Sequence, residues 1–174
     1  MKRLGFVVLM SAVAAFGAAA CDDDNPVDPS NQPVIFTAQL SAANEVPPVS
    51  NAESNARGTG VLTFNLTRDA AGTITSGTVT WEVTLTGFPA GSRANLMHIH
   101  NAGVGVNAGI LVNSGLTAAS GVALDGTINL QNVTNDTTTP ARLQAVIDNP
   151  AGHYLNVHTT LNPGGAVRAQ LVRQ

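Results

Sequence analysis

Three histidines fall at spacings that let them act together. They lie in Met97-His98-Ile99-His100 and in Tyr154-Leu155-Asn156-Val157-His158-Thr159. On a strand, side chains two residues apart lie side by side on one face. His98 and His100 therefore share a face, opposite Met97 and Ile99. His158 shares one with Asn156 and Tyr154, opposite Leu155 and Val157. With the aliphatic faces as the core, all three imidazoles are expected to point outward. A His-x-His pair on a strand forms a two-tooth chelate. A third His from a neighbouring strand completes three nitrogen ligands, a set suited to copper or zinc. Outward imidazoles also hydrogen-bond to Thr or Asn neighbours, or bridge to a loop that covers them, and so pin strands together. Spacing alone leaves both roles open. His153 is five residues from His158 and faces the other way on a shared strand, so it is expected to be structural or at a loop edge.

Little other chemistry is available. The chain has 174 residues, of which 11% are charged, with one Cys and four His. Eight Lys and Arg against 11 Asp and Glu give a net charge of -3, which argues against a nucleic-acid partner. One Cys closes no internal disulfide and builds no Cys-based zinc site. Ser92 and Ser114 lack a nucleophile motif, and Glu45, Glu53 and Glu82 show no carboxylate pairing. Gly103-Val104-Gly105-Val106-Asn107 precedes no helix, so it reads as a turn and not as a dinucleotide loop. No catalytic set emerges, and a non-enzymatic protein is expected.

The elements that position these residues read as β. Thr78 to Thr86 alternates without a fault, apolar at odd positions and polar at even ones. Val34-Phe36-Ala38-Leu40, Leu62-Phe64-Leu66 and Leu124-Gly126-Ile128-Leu130 alternate too, and Phe36, Phe64 and Trp81 are expected in the core. Turn residues separate the runs at Asp69-Ala70-Ala71-Gly72, Phe88-Pro89-Ala90-Gly91 and Asn162-Pro163-Gly164-Gly165. Only Thr139 to Ile147 reads as a helix, with Thr139 as N-cap and Pro140 at the first helical position. The expected class is all-β: a Greek-key β-barrel or sandwich with one short helix.

The amino terminus has a different composition. Lys2 and Arg3 precede an apolar run from Leu4 to Ala20, the layout of a secretory signal over residues 1–20. The run ends Ala18-Ala19-Ala20-Cys21, which resembles a bacterial lipobox with Cys21 as the lipidated residue. Ala18 departs from the commoner Leu. Removal of residues 1–20 takes Lys2 and Arg3 and no acid, leaving six basic against 11 acidic residues, a net charge of -5. Residues 21–33 (three Asp after the Cys, then Pro-, Asn- and Asp-rich) read as a flexible, self-repelling tether. The expectation is an exported lipoprotein of the cell envelope, facing the periplasm or the outer surface, with the membrane as one partner through its lipid.

The domain at 34–174 resembles the CHRD domain, found in the developmental antagonist chordin and in many microbial secreted proteins. The likeness rests on Asn44-Glu45-Val46-Pro47-Pro48-Val49, His98-Ile99-His100-Asn101-Ala102-Gly103, Tyr154-Leu155-Asn156-Val157-His158-Thr159 and Asn162-Pro163-Gly164-Gly165-Ala166-Val167-Arg168, in that order. Ala108 and Ala169 stand where the family often has Gly. The resemblance implies an immunoglobulin-like β fold with distant similarity to copper-zinc superoxide dismutases. His98 and His100 then match the paired copper His, His158 matches a third, and Arg168 resembles the Arg that guides superoxide. A bridging His, a zinc-binding His/Asp cluster and a disulfide have no counterpart here. Beside that likeness, Arg168 also reads as an outward strand residue paired with an acid at the surface. Glu45, Pro47 and Pro48 read as loop-shaping residues, with Glu45 alternatively the anchor of a buried cation or Arg. The leading expectation is a lipid-anchored, non-enzymatic module that binds a protein or another extracellular ligand. The second is a copper- or zinc-binding protein using His98, His100 and His158.

Overall fold

The computed structural model describes residues 32–134 and 138–174. The expected signal sequence, Cys21 and nearly all of the expected tether lie outside the described residues. Ten strands follow in chain order: β1 (Val34–Ser41), β2 (Arg57–Arg68), β3 (Ile74–Thr86), β4 (Arg93–His100), β5 (Ile110–Asn113), β6 (Val122–Ala123), β7 (Ile128–Thr134), β8 (Tyr154–Thr159), β9 (Val167–Gln170) and β10 (Val172–Arg173). One helix, α1 (Pro140–Asp148), stands between β7 and β8.

All pairings are antiparallel, in the order β5-β4-β8-β9-β1-β2-β3-β7, with β10 on β1 and β6 on β4. Long hairpins build one half: β1 to β2 pairs from Val34–Phe64 to Ser41–Arg57, and β2 to β3 from Arg57–Thr86 onward. The chain then crosses to the far side to lay down β4 and β5, returns for β7, and crosses back for β8. The expected all-β sheet or sandwich with one short helix is present. The closed barrel is not: β5 and β7 end the path without pairing to each other.

Period two explains which face each strand buries. Val34, Phe36, Ala38 and Leu40 are buried on β1, and Val79, Trp81, Val83 and Leu85 on β3. Phe36 and Phe64 meet edge to face at 5.0 Å, a favourable arrangement for the ring quadrupoles. Met97 and Ile99 of β4 and Leu155 and Val157 of β8 join the same core. A Cβ on Gly60 of β2 would run into the Leu155 side chain, so the two halves of the sheet face each other across that core.

Two local expectations change. Leu124 is buried but lies outside a strand, and Gly126 turns the chain at φ 82°, so β7 begins only at Ile128. Thr139 does occupy the N-cap of α1, but its side chain makes no capping bond. The helix instead rests on Pro140 in its first turn and on burial of Leu143 and Val146.

Candidate metal centre

A one-residue bulge sets the phase of the histidines. On β4, Ala94 faces Thr159 and Leu96 faces His158, so Asn95 is an extra residue in the ladder. Without it, Ala94, His98 and His100 would share a face. With it, Ala94, Met97 and Ile99 all enter the core, and His98 and His100 emerge on the opposite side. Bulges re-aim side chains in this way and are frequent beside functional sites. In register, His98 pairs with Asn156, His100 with Tyr154, Asn156 with Arg168 and Tyr154 with Gln170. The face opposite the core is therefore a polar array across β4, β8 and β9.

These side chains project away from the aliphatic core, as expected, but into a covered space and not into solvent. His98, His100 and His158 are only 2%, 6% and 6% exposed, and Arg168 is 1% exposed. Segments 44–51, 101–109 and 160–166 cover the array. Asn107 Nδ2 donates to the Val46 carbonyl at 2.6 Å, and Arg168 Nη1 donates to Asn107 Oδ1 at 2.8 Å and to the Val106 carbonyl at 3.3 Å. Asn44 Nδ2 donates to the Arg168 carbonyl at 3.0 Å. Arg168 is thus an internal clamp between covering segments, and its guanidinium lies 4.4 Å from the centre of the Tyr154 ring. The surface ion pair expected for it is not its setting.

The rings themselves are close and oriented. His100 stacks on Tyr154 at 4.8 Å, with planes 8° apart. His100 Nδ1 donates to the Ala108 carbonyl and His158 Nδ1 to the Pro163 carbonyl, both at 2.9 Å. A carbonyl only accepts, so each ring carries its proton on Nδ1 and its lone pair on Nε2. His158 Nε2 lies 3.3 Å from His98 Nδ1, and His100 Nε2 is buried with no hydrogen-bond partner. One nitrogen from each ring lies within 4.8 Å of those from the other two. Burial, reinforced by the His158 and His100 charges, lowers the His98 pKa to about 4. Burial lowers His100 and His158 as well, against backbone hydrogen bonds that raise them.

Glu45 and Gly165 close the other end of the array. Glu45 is buried, and Oε1 has no hydrogen-bond partner. Burial raises its pKa to about 7, against the lowering effect of Arg168. It borders a cavity of about 510 Å³ together with Asn44, Pro48, Val104 and Arg168. A Cβ on Gly165, which has φ 139°, would lie 2.6 Å from Glu45 Oε2 and 2.7 Å from Asn156 Nδ2. The glycine is therefore required by the packing of two other motif residues.

The four sequence motifs, whose end residues Asn44 and Arg168 are 124 residues apart, thus meet at one face of one sheet. Residues 36–171 match the family profile of the CHRD domain. The chain belongs to the CHRD-domain family. No curated protein and no solved structure gives a significant match to it. In this CHRD domain Glu45, Asn156, Gly165 and Arg168 converge on each other and on the His array. Pro47, which follows a cis peptide, and Pro48 shape the covering loop. A Cβ on Gly164 would meet nothing within 4 Å. His153 stays apart, as expected: Nδ1 donates to the Asn149 carbonyl at 2.8 Å, at the end of a short 3-10 turn.

Sequence reasoning missed Glu53. It is fully buried, and its carboxyl group accepts from Ser92 Oγ, Thr159 Oγ1 and Asn162 Nδ2, each at 2.6 Å. Its only signal in the sequence is that it is one of few acids in a weakly charged domain.

Proposed function

We propose that this CHRD domain is a non-enzymatic binding module that takes up one copper or zinc ion on His98, His100 and His158, and that it is held at the cell envelope by lipid on Cys21. One observation carries the metal reading: three buried imidazoles, two with Nδ1 tied to a carbonyl and so with the lone pair on Nε2, bring one nitrogen each to within 4.8 Å of the others. Ligating His side chains usually have their second nitrogen fixed in this way, which sets the tautomer and raises basicity. The tetrahedral geometry is compatible. Two nitrogens ~2.0–2.1 Å from one ion are ~3.3 Å apart, the length that the His98–His158 pair already has. The wider edges, up to 4.8 Å, would close by tilts of the rings. His98 donates from Nδ1 to His158, so for both nitrogens to hold an ion the His98 proton would have to sit on Nε2. The orphaned His100 Nε2 would supply the third lone pair.

A second reading has its own support. The same His98–His158 hydrogen bond joins β4 to β8 directly, so the cluster also serves as a polar pin. Titration of the purified protein with Zn(II) and Cu(II), followed by elemental analysis, separates the two. The metal reading expects one ion per chain at micromolar concentration, lost in His98→Ala and His158→Ala while the far-UV spectrum of a β fold remains. The pin alone expects no uptake, and a lower melting temperature in His158→Ala.

A further inference from the structure

Burial of a carboxyl group is costly unless donors satisfy its oxygens, and the buried Glu53 meets three. Its three donors reveal what it holds. Thr159 directly follows the ligand His158. Asn162 directly precedes Pro163, whose carbonyl fixes His158 Nδ1. Ser92 directly precedes β4, which carries His98 and His100. Thr159 also faces Ala94, next to the bulge that sets the His phase. The 51–53 segment grips Asn162 twice more: Asn51 Nδ2 donates to Asn162 Oδ1 at 2.8 Å, and Asn162 Nδ2 reaches Asn51 Oδ1 at 3.3 Å. Asn51 Oδ1 in turn accepts from the Glu53 backbone N–H at 3.0 Å. The turn after β8 is locked further by Asn162 N–H to Thr159 Oγ1 at 3.0 Å and by Gly165 N–H to the Asn162 carbonyl at 3.1 Å.

From this geometry we infer that Glu53 is a positioning residue for the three-His metal site, holding the Pro163 carbonyl and thereby the His158 ring with its Nε2 lone pair facing His98 and His100. The inference rests on the metal-binding reading for its consequence and on hydrogen-bond geometry for its mechanism. Glu53 touches no ion. It fixes the residues on either side of the ligand and of the carbonyl that orients the ligand. A carboxyl group suits the task because it accepts from all three donors at once. A glutamine presents one acceptor oxygen and an NH₂ group to the same three donors, and at least one of them must turn away.

The test compares wild type, Glu53→Gln and Asn162→Ala in the full chain. Asn162→Ala cuts the link to Pro163 while leaving the Ser92 and Thr159 bonds, and it decides the matter if Glu53→Gln does not fold. Two quantities are read. The first is Zn(II) affinity, by competition with a chromophoric chelator. The second is the His158 tautomer in metal-free protein, from long-range imidazole ¹H–¹⁵N spectra. Outer-shell partners of metal ligands typically contribute 10- to 100-fold in affinity, so both variants are expected to bind Zn(II) roughly 10-fold more weakly or worse. Both are also expected to change His158 from a single Nδ1–H tautomer to a mixture. A structural role alone would lower the melting temperature and move neither quantity. That result, or weaker binding with the His158 spectrum unchanged, overturns the inference. If the wild type takes up no zinc, the metal reading fails, and the imidazole spectra still decide whether Glu53 orients His158.

Discussion

Basicity decides whether His98, His100 and His158 hold protons or an ion. Burial has lowered all three below the ordinary 6.5, His98 to about 4. Between the lowered and the ordinary values, the unfolded chain binds more protons than the folded one. Their stabilising contribution is therefore complete above pH 6.5 and is lost as pH falls towards 4. Glu45 acts in the opposite direction. Its pKa rises from 4.5 to about 7 on folding, so the folded state holds the extra proton, and its contribution is present below 4.5 and lost as pH rises through 7. Three imidazoles outnumber one carboxyl group, so the metal-free protein is expected to melt at falling temperatures from pH 6.5 to 4.5. Glu45→Gln removes the opposing group: its melting temperature should fall more steeply over that acidic range and change less from pH 6.5 to 8. Parallel profiles for the two proteins would contradict the assignment. In the proposed metal reading, the lowered pKa values leave the lone pairs unprotonated in mild acid, so zinc binding is expected to persist to lower pH than at an exposed His site.

Elements place these residues, and the covering loops do as much as the strands. Gly164 and Gly165 separate the two contributions. A Cβ at 165 enters the space of Glu45 and Asn156, whereas one at 164 meets nothing. Gly165→Ala is expected to lower unfolding stability by about 1–3 kcal/mol, from strain and displaced polar groups. Gly164→Ala is expected to stay within about 0.5 kcal/mol, as surface substitutions usually do. Chemical denaturation of both variants measures the contrast, and equal losses would show that the turn and not the Glu45 contact is what matters. The same division explains what was legible in the sequence. Period two revealed β1, β2, β3 and the core faces of β4 and β8, because alternation is a local consequence of one buried face. It also put His98, His100 and His158 on one side of their strands. It could not reveal that this side is covered, because the covering contacts join Val46 to Asn107 and Arg168 to Asn107, each 61 residues apart. The bulge at Asn95 left no residue signature. Glu53 was invisible for the same reason as the covering loops: its partners lie 39, 106 and 109 residues away.

At the scale of the whole molecule, the proposed metal site and the proposed membrane attachment fall in separate parts of the chain. The folded domain begins at β1, which lies inside the sheet between β2 and β9. The chain before it carries Cys21 and an acidic, Pro-rich run, which at ~3.3–3.6 Å per residue spans up to roughly 40 Å. Several acyl chains on one Cys give stable anchoring, where a single chain gives only marginal binding. The proposed attachment rests on Cys21 alone, and the polar array is built from residues 44–168. The two activities should therefore separate cleanly. Expressed in a bacterial host, the wild-type protein is expected to enter the detergent-rich phase on detergent phase separation and to incorporate labelled fatty acid. Cys21→Ser is expected to remain in the aqueous phase without label, and to bind Zn(II) with wild-type affinity. Retention of Cys21→Ser in the detergent phase would mean that another segment holds the membrane. A loss of zinc binding in the same variant would mean that the tether reaches back to the His cluster and that the two parts are coupled.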